Sequence, residues 1–148
     1  MGALTTYSLG GGGMGNVLLG DYDVRRLQLL MTSLRGSPQG IGTANRLRRK
    51  LESATVVPAN AVPEDVVTLR SRVHVSNLSM GSAQTLTLAF PGEARKDDDA
   101  VSVLAPIGLA LLGERTGKVV ECVTPEGSIE LQIDRVVYQP EAAGDFTA

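Results

Sequence analysis

The side chains that most often carry out chemistry in proteins are sparse in this sequence. It has one cysteine, Cys122, and one histidine, His74, so neither a disulfide nor a Cys/His zinc site can form within one chain. Three serines considered as nucleophiles, Ser8, Ser102 and Ser128, have no base near them in the sequence. His74 is predicted to face solvent from a strand, with no evident nucleophile or orienting acid beside it. Hydrolysis by a catalytic triad is therefore not expected.

Metal and thiol chemistry are equally weakly indicated. The acidic cluster Asp97–Asp99 could offer oxygen ligands to a hard cation, but consecutive carboxylates in a loop rarely converge on one ion. We interpret it as a solvated loop. Cys122 lies in the run Val119–Val123, which is apolar except for Glu121 and predicts a small buried hydrophobe rather than a reactive thiolate. These patterns predict a protein that is not an enzyme and holds no metal or cofactor.

A glycine-rich stretch opens the chain. Gly10, Gly12 and Gly15 have the spacing of a dinucleotide-binding loop, which requires an acidic residue about 20 positions later. The segment Val24–Leu51 contains none. Because fixing so many glycines costs backbone entropy, residues 1–20 are predicted to form a flexible tail.

The composition limits the fold and the compartment. A chain of 148 residues allows one domain with an appendage. Aromatic residues make up 3% of it and Trp is absent, so base stacking and sequence-specific binding of nucleic acid are not expected. No apolar run approaches the roughly 18 residues that span a bilayer, and no signal peptide is evident. We expect a cytoplasmic protein with no membrane partner.

Positive charge is concentrated in one segment, although the formal net charge of the chain is only −2. Val24–Leu51 has no acidic residue and seven basic residues, which are Arg25, Arg26, Arg35, Arg46, Arg48, Arg49 and Lys50. Two interpretations are open. The segment is either a solvated helix face or a surface that docks onto an anionic partner, such as nucleic acid phosphates or an acidic protein patch.

Hydrophobic spacing predicts two short helices over residues 21–54. Apolar residues recur at intervals of three and four in two stripes, which are Val24, Leu27, Leu30, Met31 and Leu34, and then Ala44, Leu47, Leu51 and Ala54. Asp21 or Asp23 could cap the first helix and Thr43 the second, with Arg35–Gly42 as the loop between them. The result is an antiparallel helical hairpin, followed by a proline-containing linker over residues 55–63.

From residue 64 the pattern changes to an alternation typical of half-buried strands. Five strands are predicted, over residues 67–76, 85–90, 118–123 and 129–138, with another that begins at Val101 and Val103. Pro106 suits the first turn of a short helix that Gly113 ends. A change of phase at Asp134 and Arg135 predicts a β-bulge in the last strand. The fold class is therefore α+β, with an antiparallel sheet and one short helix.

Three stretches of the chain are similar to one family. They are PEDVVT at residues 63–68, SVLAPIGLALLG at residues 102–113 and YQPEAAGDF at residues 138–146. They resemble the GreA/GreB transcript cleavage factors and, within that family, the Rnk regulators of nucleoside diphosphate kinase. The resemblance covers roughly residues 21–146 and is strongest from Pro63 onward. It implies an FKBP-like C-terminal domain over residues 64–148 behind a short coiled-coil hairpin.

The resemblance also implies a partner, bacterial RNA polymerase, bound near its secondary channel. The family grips polymerase through the segment that enters the short helix, which is Leu104, Ala105, Pro106, Ile107 and Gly108 here. Possible accessory basic contacts are Arg46, Arg49 and Lys50. An alternative function is direct control of nucleoside diphosphate kinase through protein binding.

Two departures from the family bear on activity. Gre factors place acidic residues at a long coiled-coil tip to support the polymerase metal, whereas residues 35–42 here contain no carboxylate and the helices are short. We therefore expect competition with Gre factors without stimulation of transcript cleavage. Prolyl isomerase activity is not expected either, because the FKBP pocket relies on aromatic side chains that this sequence hardly provides.

Overall fold

The computed structural model describes residues 17–36, 38–94 and 98–145. The N-terminal elements are β1 (Val17–Gly20), α1 (Asp21–Leu34), α2 (Pro38–Glu52) and β2 (Ala54–Val57), followed by a 3-10 turn at Ala59–Ala61. The two helices pack against each other, and β1 pairs in parallel with β2 beside them. In the described part of the chain, no helix combines the length and the apolar character needed to cross a bilayer.

The short parallel pair corrects two predictions. Residues 17–20 were predicted to belong to the tail and residues 55–57 to the linker, yet Leu19 is fully buried and Val57 nearly so. Paired residues of the two strands are 37 positions apart in the sequence, so no local turn motif predicts that the strands pair. The remainder of the predicted tail, residues 1–16, lies outside the described residues.

Helix α2 begins earlier than its hydrophobic stripe predicted. Pro38 occupies its first turn, where a missing N–H costs nothing, and the helix continues through Gly40 and Gly42. The predicted cap Thr43 is therefore inside the helix. The predicted aspartate caps of α1 are also wrong, because Gly20 holds the N-cap position without a side-chain hydrogen bond.

Five strands and one short helix form the rest of the fold, which confirms the predicted α+β class. They are β3 (Arg72–Asn77), β4 (Ser82–Ala89), β5 (Ala100–Ser102), α3 (Pro106–Leu111), β6 (Val119–Thr124) and β7 (Gly127–Tyr138). The strand order is β5-β4-β3-β7-β6, and only the β4–β5 pair is parallel. The first of these strands starts five residues later than predicted, because Thr68–Ser71 form a tight turn with Arg70 at a φ of 67°.

The predicted bulge in β7 is confirmed. His74 lies opposite Arg135 while Val75 lies opposite Ile133, so Asp134 is an extra residue in the ladder. A second register shift beside Arg72 leaves Val137 as another. These bulges allow one long strand to bend along the sheet.

One hydrophobic core joins the helices to the sheet. Leu27 of α1 and Leu47 of α2 belong to the same buried cluster as Leu88 and Ile133 of the sheet. The helical pair is thus seated on the C-terminal domain through apolar contacts. Non-polar burial of this kind contributes roughly 25 cal/mol per Å².

The entry to α3 packs so tightly that it requires glycine. A Cβ on Gly108 would overlap the carbonyl oxygen of Ser102 and press on the backbone of Val103. We therefore expect Gly108→Ala to lower the free energy of unfolding by about 2 kcal/mol or more. Gly42→Ala is the matched control in α2, where the nearest atom to the new Cβ is 3.9 Å away. It should raise stability by about 0.5–1 kcal/mol. Urea unfolding of both variants measures this, and equal effects would contradict the packing argument.

A buried carboxylate ties α1 to the turn before β3. Asp23 accepts hydrogen bonds from the Leu69 amide at 3.0 Å and from Arg26 at 2.7 Å. Desolvation by burial raises the pKa of Asp23 above its ordinary value of 3.8, although these two partners and Arg70 oppose the shift. Burial likewise raises the pKa of Glu141, and the nearby Asp23 charge adds to that shift.

These raised pKa values give stability a pH dependence. Asp23 holds its proton to a higher pH in the folded protein than in the unfolded chain. Its contribution to stability therefore falls as the pH rises from the unfolded pKa, about 3.8, through the folded pKa. Asp23→Asn keeps an oxygen acceptor for the Leu69 amide and removes the titration. The free energy of unfolding of the parent should fall relative to this variant as the pH rises from about 4 toward neutral, because the Asp23 pKa is raised above 3.8 in the folded protein. Urea unfolding at several pH values measures this, and the same pH dependence of the free energy of unfolding in both proteins would contradict the assignment.

Candidate functional site

A cleft with a volume of about 680 Å³ lies between α2, α3 and β6. Its lining residues are Arg46, Arg49, Lys50, Pro106, Leu109, Ala110, Glu121, Cys122, Val123, Thr124 and Pro125. The cleft brings together Pro106 from the segment predicted to bind a partner and all three predicted accessory basic residues. Leu104, Ala105, Ile107 and Gly108 are not among its lining residues.

Local hydrogen bonds fix the segment that enters α3. The hydroxyl and carbonyl oxygens of Ser102 accept the amides of Leu104 and Ala105, both at 3.0 Å. Pro106 then begins the helix and is exposed, whereas Ile107 is half-buried against the core. Within the predicted binding segment, Pro106 therefore presents the most accessible surface, and Gly108 is buried for packing.

The three basic residues of the cleft are not equivalent. Arg46 and Arg49 are exposed. The Lys50 side chain is only 14% exposed, and its Nζ donates to Glu114 Oε2 at 2.9 Å and to the Ala110 carbonyl at 3.2 Å. Desolvation lowers the pKa of Lys50, and Glu114 opposes that shift. Lys50 thus joins α2 to the end of α3, and Arg46 and Arg49 are the cations that face solvent.

The other predicted chemical groups lie apart from this cleft or are buried. Cys122 is buried as predicted, with burial raising the pKa of its thiol. Asp97 lies outside the described residues, and Asp99 pairs with Arg72 at 3.4 Å. Among the described residues no group of three or more His, Cys, Asp or Glu side chains is placed to hold a metal ion.

His74 has partners that sequence reasoning missed. Its Nδ1 lies 2.9 Å from the Thr85 hydroxyl, and its Nε2 lies 3.7 Å from the Asp134 carboxylate, which also accepts the Ser76 hydroxyl at 2.6 Å. His74 lies on the less buried face of β3, as predicted, but the expectation that no acid lies beside it is wrong. Asp134 is the extra residue of the bulge, and its carboxylate lies on the same face of the sheet as His74 and Ser76.

The C-terminal tail forms contacts that no periodicity predicted. The Gln139 amide donates to the carbonyls of Pro63 and Val66, both at 2.7 Å, and Glu141 accepts the Thr68 hydroxyl at 2.7 Å. The tail therefore braces the segment that leads into β3. These contacts give a structural role to the YQPEAAGDF stretch, which is one of the three stretches that carry the family resemblance.

Comparison with known proteins agrees with this architecture. The family described as "Transcription elongation factor, GreA/GreB, C-term" matches residues 62–138. The chain is 35% identical over 131 residues to the "Regulator of nucleoside diphosphate kinase" of Escherichia coli K12, covering 88% of this chain and 95% of that protein. It is 32% identical over 92 residues to GreA of Clostridium botulinum, covering 62% of this chain and 58% of that one.

A solved structure extends the similarity to three dimensions. The GreA/GreB elongation factor from Nitrosomonas europaea aligns over 83% of this chain and 98% of its own, with 30% identity and a TM-score of 0.65. Sequence and structure thus agree over the C-terminal domain and beyond it. The chain belongs to the GreA/GreB family of transcription elongation factors.

Proposed function

We propose that this protein is a transcription regulator that binds bacterial RNA polymerase near the secondary channel through the cleft between α2, α3 and β6. There it competes with Gre factors without stimulating transcript cleavage. In the same proposal, α1 and α2 form a short coiled coil, and the sheet with α3 forms an FKBP-like domain. Family membership supports the class of partner.

One observation carries the choice of surface, which is that Pro106 and Arg49 line the same cleft although they come from different elements. A proline-ordered loop loses little conformational entropy when it is bound. Exposed arginines add attraction toward an acidic partner surface and raise the association rate. The cleft thus combines a rigid segment at Pro106 with the positive charge of Arg49, and both properties favour binding of a protein partner.

The helical pair supports the absence of cleavage stimulation. Helix α1 ends at Leu34 and α2 begins at Pro38, and the sequence from residue 35 to residue 42 has no carboxylate. Helix α1 has 14 residues and is about 21 Å long. A metal-dependent step needs oxygen ligands at the reacting centre, and this tip has no carboxylate to supply them.

Binding to purified core RNA polymerase tests the proposal. Fluorescently labelled protein should bind saturably and be displaced by excess GreB. Binding without displacement would overturn the assignment to the secondary channel.

The name of the E. coli relative favours a second candidate, direct regulation of nucleoside diphosphate kinase. A complex with purified kinase, together with no binding to polymerase, would replace the first proposal with the second.

Substitution at the start of α3 tests the surface. Pro106→Asp should weaken polymerase binding by about tenfold or more, because a charge enters an apolar contact. The fold should persist, since an acidic residue is favourable in the first turn of a helix and Pro106 is exposed. Gln84→Asp, on an exposed position of β4, is the control and should bind like the parent. An unchanged affinity for folded Pro106→Asp would contradict this surface.

Two neighbouring arginines of α2 provide a matched pair for the electrostatic contribution. Arg49 lines the cleft, whereas Arg48 faces a separate groove with Ile41 and Asn45. Arg49→Glu should slow association with polymerase and weaken its salt dependence, while Arg48→Glu should have a smaller effect at the same change in net charge. Stopped-flow association at several salt concentrations measures both variants. Equal effects would indicate that overall charge, rather than the cleft, governs binding.

A further inference from the structure

Strand β6 forms one edge of the five-stranded sheet, and one of its sides has no neighbouring strand among the described residues. β6 is the terminal strand in the order β5-β4-β3-β7-β6, and it pairs on one side only, with β7. A six-residue edge strand presents main-chain donors and acceptors to whatever lies beside it. The surface helix α3 packs against β6, but no strand among residues 17–36, 38–94 and 98–145 adds to its free side.

Hydrogen bonds in β7 establish which residues of β6 present those groups. The Glu130 carbonyl accepts the Leu78 amide at 2.8 Å, and the Glu130 amide donates to Ser79 Oγ at 3.1 Å, so both main-chain groups of Glu130 point away from β6. Glu130 is opposite Glu121 in the antiparallel register. This is therefore a non-hydrogen-bonded pair, and the N–H and C=O of Glu121 point to the free edge, as do those of Val123 two residues later.

The free edge forms a wall of the cleft. Five consecutive residues, 121–125, line it, although neighbouring side chains of a strand point to opposite faces of a sheet. A cleft beside one face would be lined by alternate residues. Lining by an unbroken run is what a cleft along the main chain of β6 would give, and α2 and α3 supply its other lining residues.

Charge defines what could occupy that edge. Arg46 and Arg49 line the cleft from α2, Lys50 is paired with Glu114, and Glu121 of β6 is the acidic residue of the lining. Side chains of an added strand would alternate between the α2 side of the sheet and the outer side. Acidic residues at alternate positions would therefore meet the two arginines, while the main chain pairs with Glu121 and Val123.

We propose that the edge of β6 accepts an extended acidic segment of a partner protein as a sixth strand, with its carboxylates directed at Arg46 and Arg49. This inference rests on the proposed function, since it describes how the same cleft would engage polymerase. Main-chain pairing supplies affinity in such a complex, and the side-chain pockets supply specificity. The partner class is an extended peptide with Asp or Glu at every second position.

Peptide titration followed by amide NMR tests the inference on the full chain. The probe is an acetylated eight-residue peptide in which Thr and Glu alternate, and the control peptide alternates Thr and Lys. The acidic peptide should shift the amide signals of Glu121 and Val123 saturably and bind about tenfold or more tightly than the basic one. Absence of saturable shifts at these amides up to millimolar peptide would overturn the inference.

Variants at position 123 separate main-chain pairing from side-chain contact. Val123→Pro removes an N–H that points to the free edge, and proline is tolerated at such edge positions. Val123→Thr keeps that N–H and is the matched control. The proline variant should lose about tenfold or more in peptide affinity, whereas the threonine variant should bind like the parent. Equal affinities of the two folded variants would overturn strand addition.

The two proposals fail in distinguishable ways. If the parent and Val123→Pro bind polymerase equally and the acidic peptide does not bind, the sixth strand is wrong and the polymerase proposal stands. If the acidic peptide binds with the expected dependence on Val123 but polymerase does not bind, the edge is confirmed as a peptide site. In that case polymerase is the wrong partner.

Discussion

The position of the basic helix depends on one buried cation. Lys50 reaches from α2 to Glu114 and to the Ala110 carbonyl of α3, and both side chains of this ion pair are almost fully covered. Burying two charges costs free energy that their attraction must offset, and removing one partner typically costs about 3–5 kcal/mol because the other is left unpaired. Lys118 lies 3.4 Å from the same carboxylate and helps to balance its charge. The pair therefore resists any separation of α2 from α3 and holds Arg46 and Arg49 on the cleft.

Features decided by neighbouring residues could be predicted from the sequence. Pro106 begins a helix because its ring fixes φ and its nitrogen lacks a hydrogen, and the phase change at Asp134 marks the bulge because side-chain direction alternates along a strand. The pairing of β1 with β2 could not be predicted, since it depends on residues 37 positions apart. Helix α2 extends through Gly40 because burial there outweighs the poor helical propensity of glycine.

The candidate site also combines features that the sequence predicts with features that depend on contacts between distant residues. Its two residue sets were predicted separately, the binding segment from a family resemblance and the basic residues from their charge. Pro106 from the first set meets the basic residues of the second in one cleft, and that meeting is a property of the tertiary fold. Lys50 could not be distinguished from Arg49 by sequence, because both are basic residues on one short helix. The difference lies in Glu114, which is 64 residues away in the chain.

The C-terminal tail and α1 together explain why the helical pair is held firmly. Asp23 of α1 accepts the Leu69 amide, and Thr68 beside it donates to Glu141 of the tail. The tail thus fixes the Thr68–Ser71 turn, and that turn binds α1 through Asp23. The apolar core, which includes Leu27 and Leu69, lies next to this contact. A partner entering the cleft therefore meets a surface whose two walls are already positioned. Because little ordering remains to be done on binding, weak main-chain and charge contacts can yield useful affinity.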